Sequence, residues 1–259
     1  MGNPEYTFGT SATAASRLEE IAKYFNPLAA DLIQRFASTP CDIAVDIGCG
    51  PGFTTDMLAA AANCQKTYGL DISREFLEIA TQRFAHCTFL EHDVTQVPFP
   101  LTADVMYARF VLCHLREPLK LVAHWITQLN SGGLLFVDEI DAVDTDLEVF
   151  KTYLAMAEGI IATQGACLYV GKALGAAGHE AAALVNESVV IPVTNCQAAS
   201  WFLPNTQTIW NENQYVLEHL SPKERDAIGS ELNRLMTTRD SRSNITWRLR
   251  RLVLKKQAD

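Results

Sequence analysis

Apolar positions along the chain fall into two spacings. From Ser16 onward Leu18, Ile21, Ala22 and Phe25 recur with helical period; Asn26-Pro27 interrupts it, and Leu28, Leu32, Ile33 and Phe36 resume it as far as Ser38-Thr39-Pro40. That pattern predicts two helices ahead of the first strand. Short runs rich in β-branched residues then alternate with amphipathic stretches: strand 43–47, helix 54–62, strand 66–70, helix 74–84, strand 88–91, strand 103–108, helix 118–129 and strand 134–138. The rhythm predicts right-handed βαβ crossovers, hence an α/β, doubly wound, mostly parallel sheet with both faces covered. Two later segments exceed what such a sheet needs. Residues 144–184 are helical and rich in Ala and Gly, and residues 194–243 hold Trp201, Phe202, Trp210 and Tyr215. Long interstrand segments are usually functional or helical in their own right, so both are read, with the N-terminal helices, as a helical cap over the carboxyl edge of the sheet. The expected organisation is N-terminal cap helices over 1–40, a sheet core over 41–143, and the rest of the sheet with cap insertions over 144–259. Residues 1–15 are small and polar, and are expected to order only when something packs on them.

The most informative stretch is Ile43-Ala44-Val45-Asp46-Ile47-Gly48-Cys49-Gly50-Pro51-Gly52, a strand that breaks into three glycines at alternate positions before a helix. A glycine loop at the carboxyl end of a strand, opening a helix, is a nucleotide-cofactor site in open α/β sheets. A dinucleotide fingerprint would place its third glycine at position 53, which is Phe53, so the spacing disfavours a dehydrogenase. Asp71 closes the next apolar segment, where a carboxylate can accept both hydroxyls of a ribose. With these residues the chain resembles the class I S-adenosylmethionine (SAM) dependent methyltransferases, whose first motif V-D-I-G-C-G-P-G stands here at Val45 to Gly52.

The resemblance implies a seven-stranded Rossmann-like sheet whose last strand is antiparallel, with Ser188–Val193 and Asn244–Lys255 as the closing pair. It implies S-adenosyl-L-methionine as cofactor, leaving as S-adenosyl-L-homocysteine. Gly48, Cys49 and Gly50 would present backbone to the methionine portion, and Asp46 would orient the loop through its amides or reach the cofactor ammonium by way of water. Asp71 would take the ribose hydroxyls, Ile72 would wall the adenine, Asp93 would accept from its exocyclic amine, and Val94 would donate a backbone N–H. Asp93 also reads as a helix N-cap or turn residue. Arg109 ends the fourth strand beside the sulfonium. Arg17, or Tyr6, would meet the cofactor carboxylate, with an exposed helical arginine as the alternative reading.

Two residues are candidates for catalysis. His114, on the first turn after the fourth strand, is either a general base or donor facing the substrate or a histidine satisfied by backbone. Glu139 belongs to five carboxylates within nine residues (Asp138, Glu139, Asp141, Asp144, Asp146) and is the member expected to face inward onto substrate. The run could orient a cationic amine, hold a base, bind Mg²⁺ as its D-x-D spacing allows, or cap the next helix; no metal ligand is assigned. Trp201, Phe202, Trp210 and Tyr215 read as an acceptor-pocket wall or as packing beneath the cap.

Composition narrows the partners. Thirty acidic against twenty-one basic side chains give a net charge of −9, which disfavours nucleic acid. The basic run Arg248, Arg250, Arg251, Lys255 and Lys256 is read as a solvated edge. Seven cysteines without C-x-x-C pairs argue against a disulfide framework or a zinc site and for a reducing compartment. Neither a signal peptide nor a membrane span is indicated, so the expectation is a cytoplasmic enzyme without membrane partner, a homodimer being left open. The reading is methyl transfer from SAM to a small-molecule acceptor of secondary-metabolite kind, at N, O or C. Its rivals are methylation of protein or RNA, disfavoured because Tyr107-Ala108-Arg109-Phe110 stands in place of an N-P-P-Y-type tetrapeptide, and a SAM binder without transfer, such as a cyclase or regulatory protein.

Overall fold

A computed structural model describes residues 11–179 and 181–258. The chain runs α1 (Ala12–Phe36), β1 (Cys41–Ile47), α2 (Phe53–Ala61), β2 (Cys64–Asp71), α3 (Arg74–Arg83), β3 (Thr88–Glu91), β4 (Ala103–Arg109), a 3₁₀ turn (Leu112–His114) and α4 (Pro118–Thr127). It continues through β5 (Leu129–Thr145), α5 (Glu148–Thr163), α6 (Gly171–Ala176), β6 (Ala182–Val193), α7 (Asn195–Gln207), α8 (Gln214–His219), α9 (Pro222–Thr237) and β7 (Ile245–Lys255). The seven strands lie in the order β3-β2-β1-β4-β5-β7-β6. Strands β1 to β5 pair in parallel, and β7 inserts antiparallel between β5 and β6. The order reverses between β1 and β4, and that switch point is where open α/β sheets leave a crevice at the carboxyl ends of their strands.

Alternation along the strands builds a core on each face. Ala44, Val105, Tyr107, Phe136 and Val253 pack toward α1 and α2, while Val45, Ile47, Met106, Leu135 and Val137 pack toward α4 and α6. A further core lies at the carboxyl end of β5 and joins α5, α7, α8 and α9 to Phe25 of α1. Tyr24 ties α1 to the end of β6, its hydroxyl donating to the Pro192 carbonyl at 2.6 Å.

Four sequence expectations are corrected here. The N-terminal segment is one helix rather than two, and it runs through Pro27. Proline inside a helix costs about 3 kcal/mol, but Phe25 and Ala29, each 1% exposed, bury the apolar stripe on both sides of it. The acidic run does not cap a helix: β5 continues to Thr145, and α5 starts after Leu147 without a side-chain cap. Its carboxylates meet the arginines of β7 across the antiparallel ladder, Asp138 with Arg251 at 3.3 Å, Asp141 with Arg250 at 2.9 Å, and Asp144 with Arg248. The basic run is therefore the counterpart of the acidic one and not merely a solvated edge. Finally, Cys41 and Cys64 form a disulfide. They are register partners at the amino ends of β1 and β2 with Cα atoms 4.4 Å apart, a separation a disulfide spans. Cys49, Cys87, Cys113, Cys167 and Cys196 are free.

Candidate active site

The carboxyl ends of β1, β2, β3 and β4 open into a cavity of about 890 Å³, roofed by Leu18, Ile21 and Ala22 of α1. That volume is near the upper end for small-molecule sites, roughly 300–1,000 Å³. The glycine loop forms its floor. Gly48, Gly50 and Gly52 all have positive φ, at 67°, 50° and 87°. At Gly48 a Cβ would also lie 2.7 Å from the Val111 side chain, so both the turn and the packing require glycine there. Asp46, 1% exposed beneath the loop, accepts from the hydroxyls of Thr54 and Thr55 at 2.6 and 2.7 Å. It thus ties the strand to the first turn of α2 through side chains rather than loop amides. Burial pushes its pKa up to about 7.

Asp71 faces the cavity from the end of β2. One oxygen accepts from the Gly50 N–H at 2.7 Å and the other from Ser73 N–H at 2.9 Å, which fixes the carboxylate. Ile72 lines the same wall. Asp93 lines the cavity while one of its oxygens accepts from the backbone and hydroxyl of Thr95, so it is a turn residue and a lining residue together. The next residue, Val94, is held by Trp125 of α4, whose indole N–H donates to its carbonyl at 2.8 Å.

Residues 45–137 match the methyltransferase domain family. Trans-aconitate 2-methyltransferase of Klebsiella pneumoniae is 35% identical over 113 residues, which is 44% of this chain and 45% of that protein. The chain thus spans under half the length of this relative, and about half (52%) of its Enterobacter counterpart, at 32% identity. Among solved structures, the YcgJ protein of Bacillus subtilis superposes with a TM-score of 0.54 at 17% identity, covering 90% of this chain and 100% of that one. The likeness to this family covers the sheet core from β1 to β5.

The remaining expected residues occupy different places. Cys49 is buried within the loop, and Arg109 lines the cavity at the end of β4. Arg17 is 8% exposed on α1, so it is not the exposed helical arginine of the alternative reading; its charge acts on His114. Tyr6 lies outside the described residues. His114 lines the cavity, and desolvation, with Arg17 adding to it, lowers its pKa to about 4. It is therefore neutral at pH 7 and a weak proton acceptor.

Glu139 is corrected from substrate contact to loop support. It is fully buried and does not line the cavity; its Oε1 accepts from the N–H groups of Val111 and Leu112 at 2.8 and 2.6 Å. Those residues follow Phe110, whose φ of 56° is unfavourable for a side chain of that size. Glu139 holds the turn that carries Phe110, Val111 and His114 into the cavity wall. The late aromatics are likewise core and not pocket: Trp201, Phe202 and Trp210 are buried, with Tyr153 stacked on Phe202 at 4.0 Å between centroids. Sequence reasoning missed Phe76, Arg116, Lys120, His124 and Gln164, all lining. The polar residues among them carry no motif; only the helical period of α3 and α4 could have pointed inward. Among the described residues no helix is long and apolar enough to cross a membrane, and no cluster of three metal-ligating side chains occurs.

Proposed function

We propose that the protein transfers a methyl group from SAM to a small-molecule acceptor, in the cavity at the β1/β4 switch point. The observation that carries this reading is the combination of a Cβ-free glycine loop with a braced Asp71 and Asp93 along one wall of a single 890 Å³ cavity, which has room left beyond a nucleoside. These residues fit the cofactor. Gly48 to Gly50 would meet its methionine portion, Asp71 the ribose, and Ile72, Asp93 and Val94 the adenine. When bound, SAM supplies a methyl group already activated on a sulfonium. The work of the chain is then to align the acceptor and exclude water. His114, neutral at pH 7, would position the acceptor through a hydrogen bond. The small-molecule reading is supported by the partly enclosed cavity under α1 and by relatives named for a small-molecule substrate.

The test is transfer of label from methyl-labelled SAM in a cell extract separated into small-molecule, protein and nucleic-acid fractions. Label is expected in the small-molecule fraction, where its mass identifies the acceptor. Label in a polymer fraction would overturn the choice of substrate. SAM bound with no label transferred in any extract would favour a binder without transfer, and the fold alone leaves that open: the [4+2]-cyclase SpnF superposes with a TM-score of 0.52 at 18% identity, over 90% of this chain and 81% of that one.

A further inference from the structure

Helix α1 changes character at Pro27. A proline has no N–H to give, so the Lys23 carbonyl four residues back loses its helical partner. Beyond that break the helix is built into the fold. Ala29, Leu32 and Ile33 pack with Ala44, Met57 and Leu58, and the Leu28 carbonyl accepts from Arg251 Nη2 at 2.7 Å. At the break Phe25 is buried in the core of α5 and α7, the Tyr24 hydroxyl donates to Pro192, and Asn26 Nδ2 donates to the Phe53 carbonyl at 2.9 Å. The turns before it are held more lightly. Ala14 and Ala15, flanked by Leu18, meet Phe76 and Ile79 of α3 in a small apolar patch, and alanines bury little area. An ion pair reinforces the patch: the two oxygens of Glu19 accept from Arg83 Nη1 and Nη2 at 2.9 and 2.6 Å. Arg83, the last residue of α3, also stands 4.7 Å from the centroid of the Phe53 ring, which lines the cavity. These same turns lie on the cofactor loop. Leu18, Ile21 and Ala22 line the cavity, and a Cβ at Gly50 would be 3.9 Å from Leu18 Cδ1.

We propose that Ala12 to Lys23 form a lid over the cofactor, hinged at the missing rung before Pro27 and latched to α3 by Glu19 and Arg83. Its opening admits SAM and releases S-adenosyl-L-homocysteine; the proposal rests on the methyl-transfer reading above. A lid must open in every turnover, and a segment with little apolar burial opens locally while the core stays folded. The latch suits that task. Its side chains are 46% and 24% exposed, so salt screens it, and the forked geometry supplies direction more than strength. Neither Glu19 nor Arg83 lines the cavity, so the latch holds the lid alike with and without cofactor. It therefore cancels from the affinity and acts on both rates.

The test is stopped-flow binding of S-adenosyl-L-homocysteine to the full chain. Glu19→Gln should raise the association and dissociation rates together, by about 2–5-fold, and leave their ratio, the Kd, unchanged. High ionic strength should bring the wild type toward the variant and leave the variant's dissociation rate as it was. Pro27→Ala restores the missing rung and should slow both rates. Exchanging the charges, Glu19→Arg with Arg83→Glu, should return the rates toward wild type. Rates unchanged in Glu19→Gln and Pro27→Ala, or a dissociation rate that rises alone and weakens the Kd, would overturn the proposal. Failure of the wild type to bind S-adenosyl-L-homocysteine at all would remove the methyl-transfer reading and this proposal with it, a result distinct from either.

Discussion

Asp71→Ala is expected to lower SAM affinity by at least about 100-fold in a calorimetric titration, since hydrogen bonds to a charged acceptor contribute roughly 1.5–3 kcal/mol each and two ribose hydroxyls would lose theirs. A second loss adds to the first. The Asp71 carboxylate also accepts from the Gly50 N–H at 2.7 Å and the Ser73 N–H at 2.9 Å, so alanine would release the glycine loop from the end of β2. Asp71→Asn separates the two effects. An amide oxygen can keep the Gly50 contact, but the neutral side chain accepts more weakly and its NH₂ faces one of the N–H donors. It should therefore bind SAM better than the alanine variant and worse than the wild type. Affinity unchanged in Asp71→Ala would remove Asp71 from the cofactor site and, with it, the register in which the other nucleoside residues are placed.

That register was legible because its information is local. Positive φ at positions 48, 50 and 52 leaves little choice but glycine, so the turn is written in the residues that make it. Asp71 and Asp93 sit one and two residues beyond predicted strand ends, at positions that alternation alone locates. The seven-strand sheet was what the methyltransferase resemblance implied, and its expected closing pair, Ser188–Val193 and Asn244–Lys255, lies within β6 and β7. What stayed hidden depends on partners far along the chain. Nothing within residues 138–146 shows that Asp138, Asp141 and Asp144 answer arginines more than 100 residues later, because the pairing is set by the β5–β7 register and its irregularity between Ile140 and Ala142. The aromatic side chains of Trp201, Phe202 and Trp210 announce burial but not which of two apolar spaces they fill, and the packing of α5, α7 and α9 chose the separate core. Asn26-Pro27 is a local break signal overridden by tertiary burial of the residues on either side. The α4 side of the cavity is the least legible for the same reason. Arg116 acquires its place from a hydrogen bond to Gln164, which no spacing rule connects to it.

Glu139 offers the second large effect, and the two variants of it should part sharply. Glu139→Ala leaves the N–H groups of Val111 and Leu112 buried without an acceptor, a loss of roughly 1–3 kcal/mol for each. Thermal unfolding should therefore fall by on the order of 5–15 °C in a chain of this size. Turnover should drop with it, because Phe110, at φ 56°, is held in that conformation by the grip on the residues that follow. Glu139→Gln keeps an oxygen for both N–H groups and should change little at neutral pH, since burial raises the Glu139 pKa to about 8 and the native side chain is mostly protonated there. The sign of the pH dependence follows from that shift. An unfolded glutamate, near 4.5, has released its proton across the interval in which the folded one retains it, so the folded state binds more protons and wild-type stability falls as pH rises from about 4.5 through about 8. Glutamine cannot titrate, and Asp46, raised to about 7, is common to both proteins. The melting temperature of Glu139→Gln relative to wild type should accordingly climb between pH 5 and pH 8, at up to about 1.4 kcal/mol of stability per pH unit. A flat difference would mean that Glu139 is ionised in the folded protein at neutral pH. In that case the turn carrying His114 would be held by a charge, and Glu139→Gln should then impair turnover as the alanine variant does.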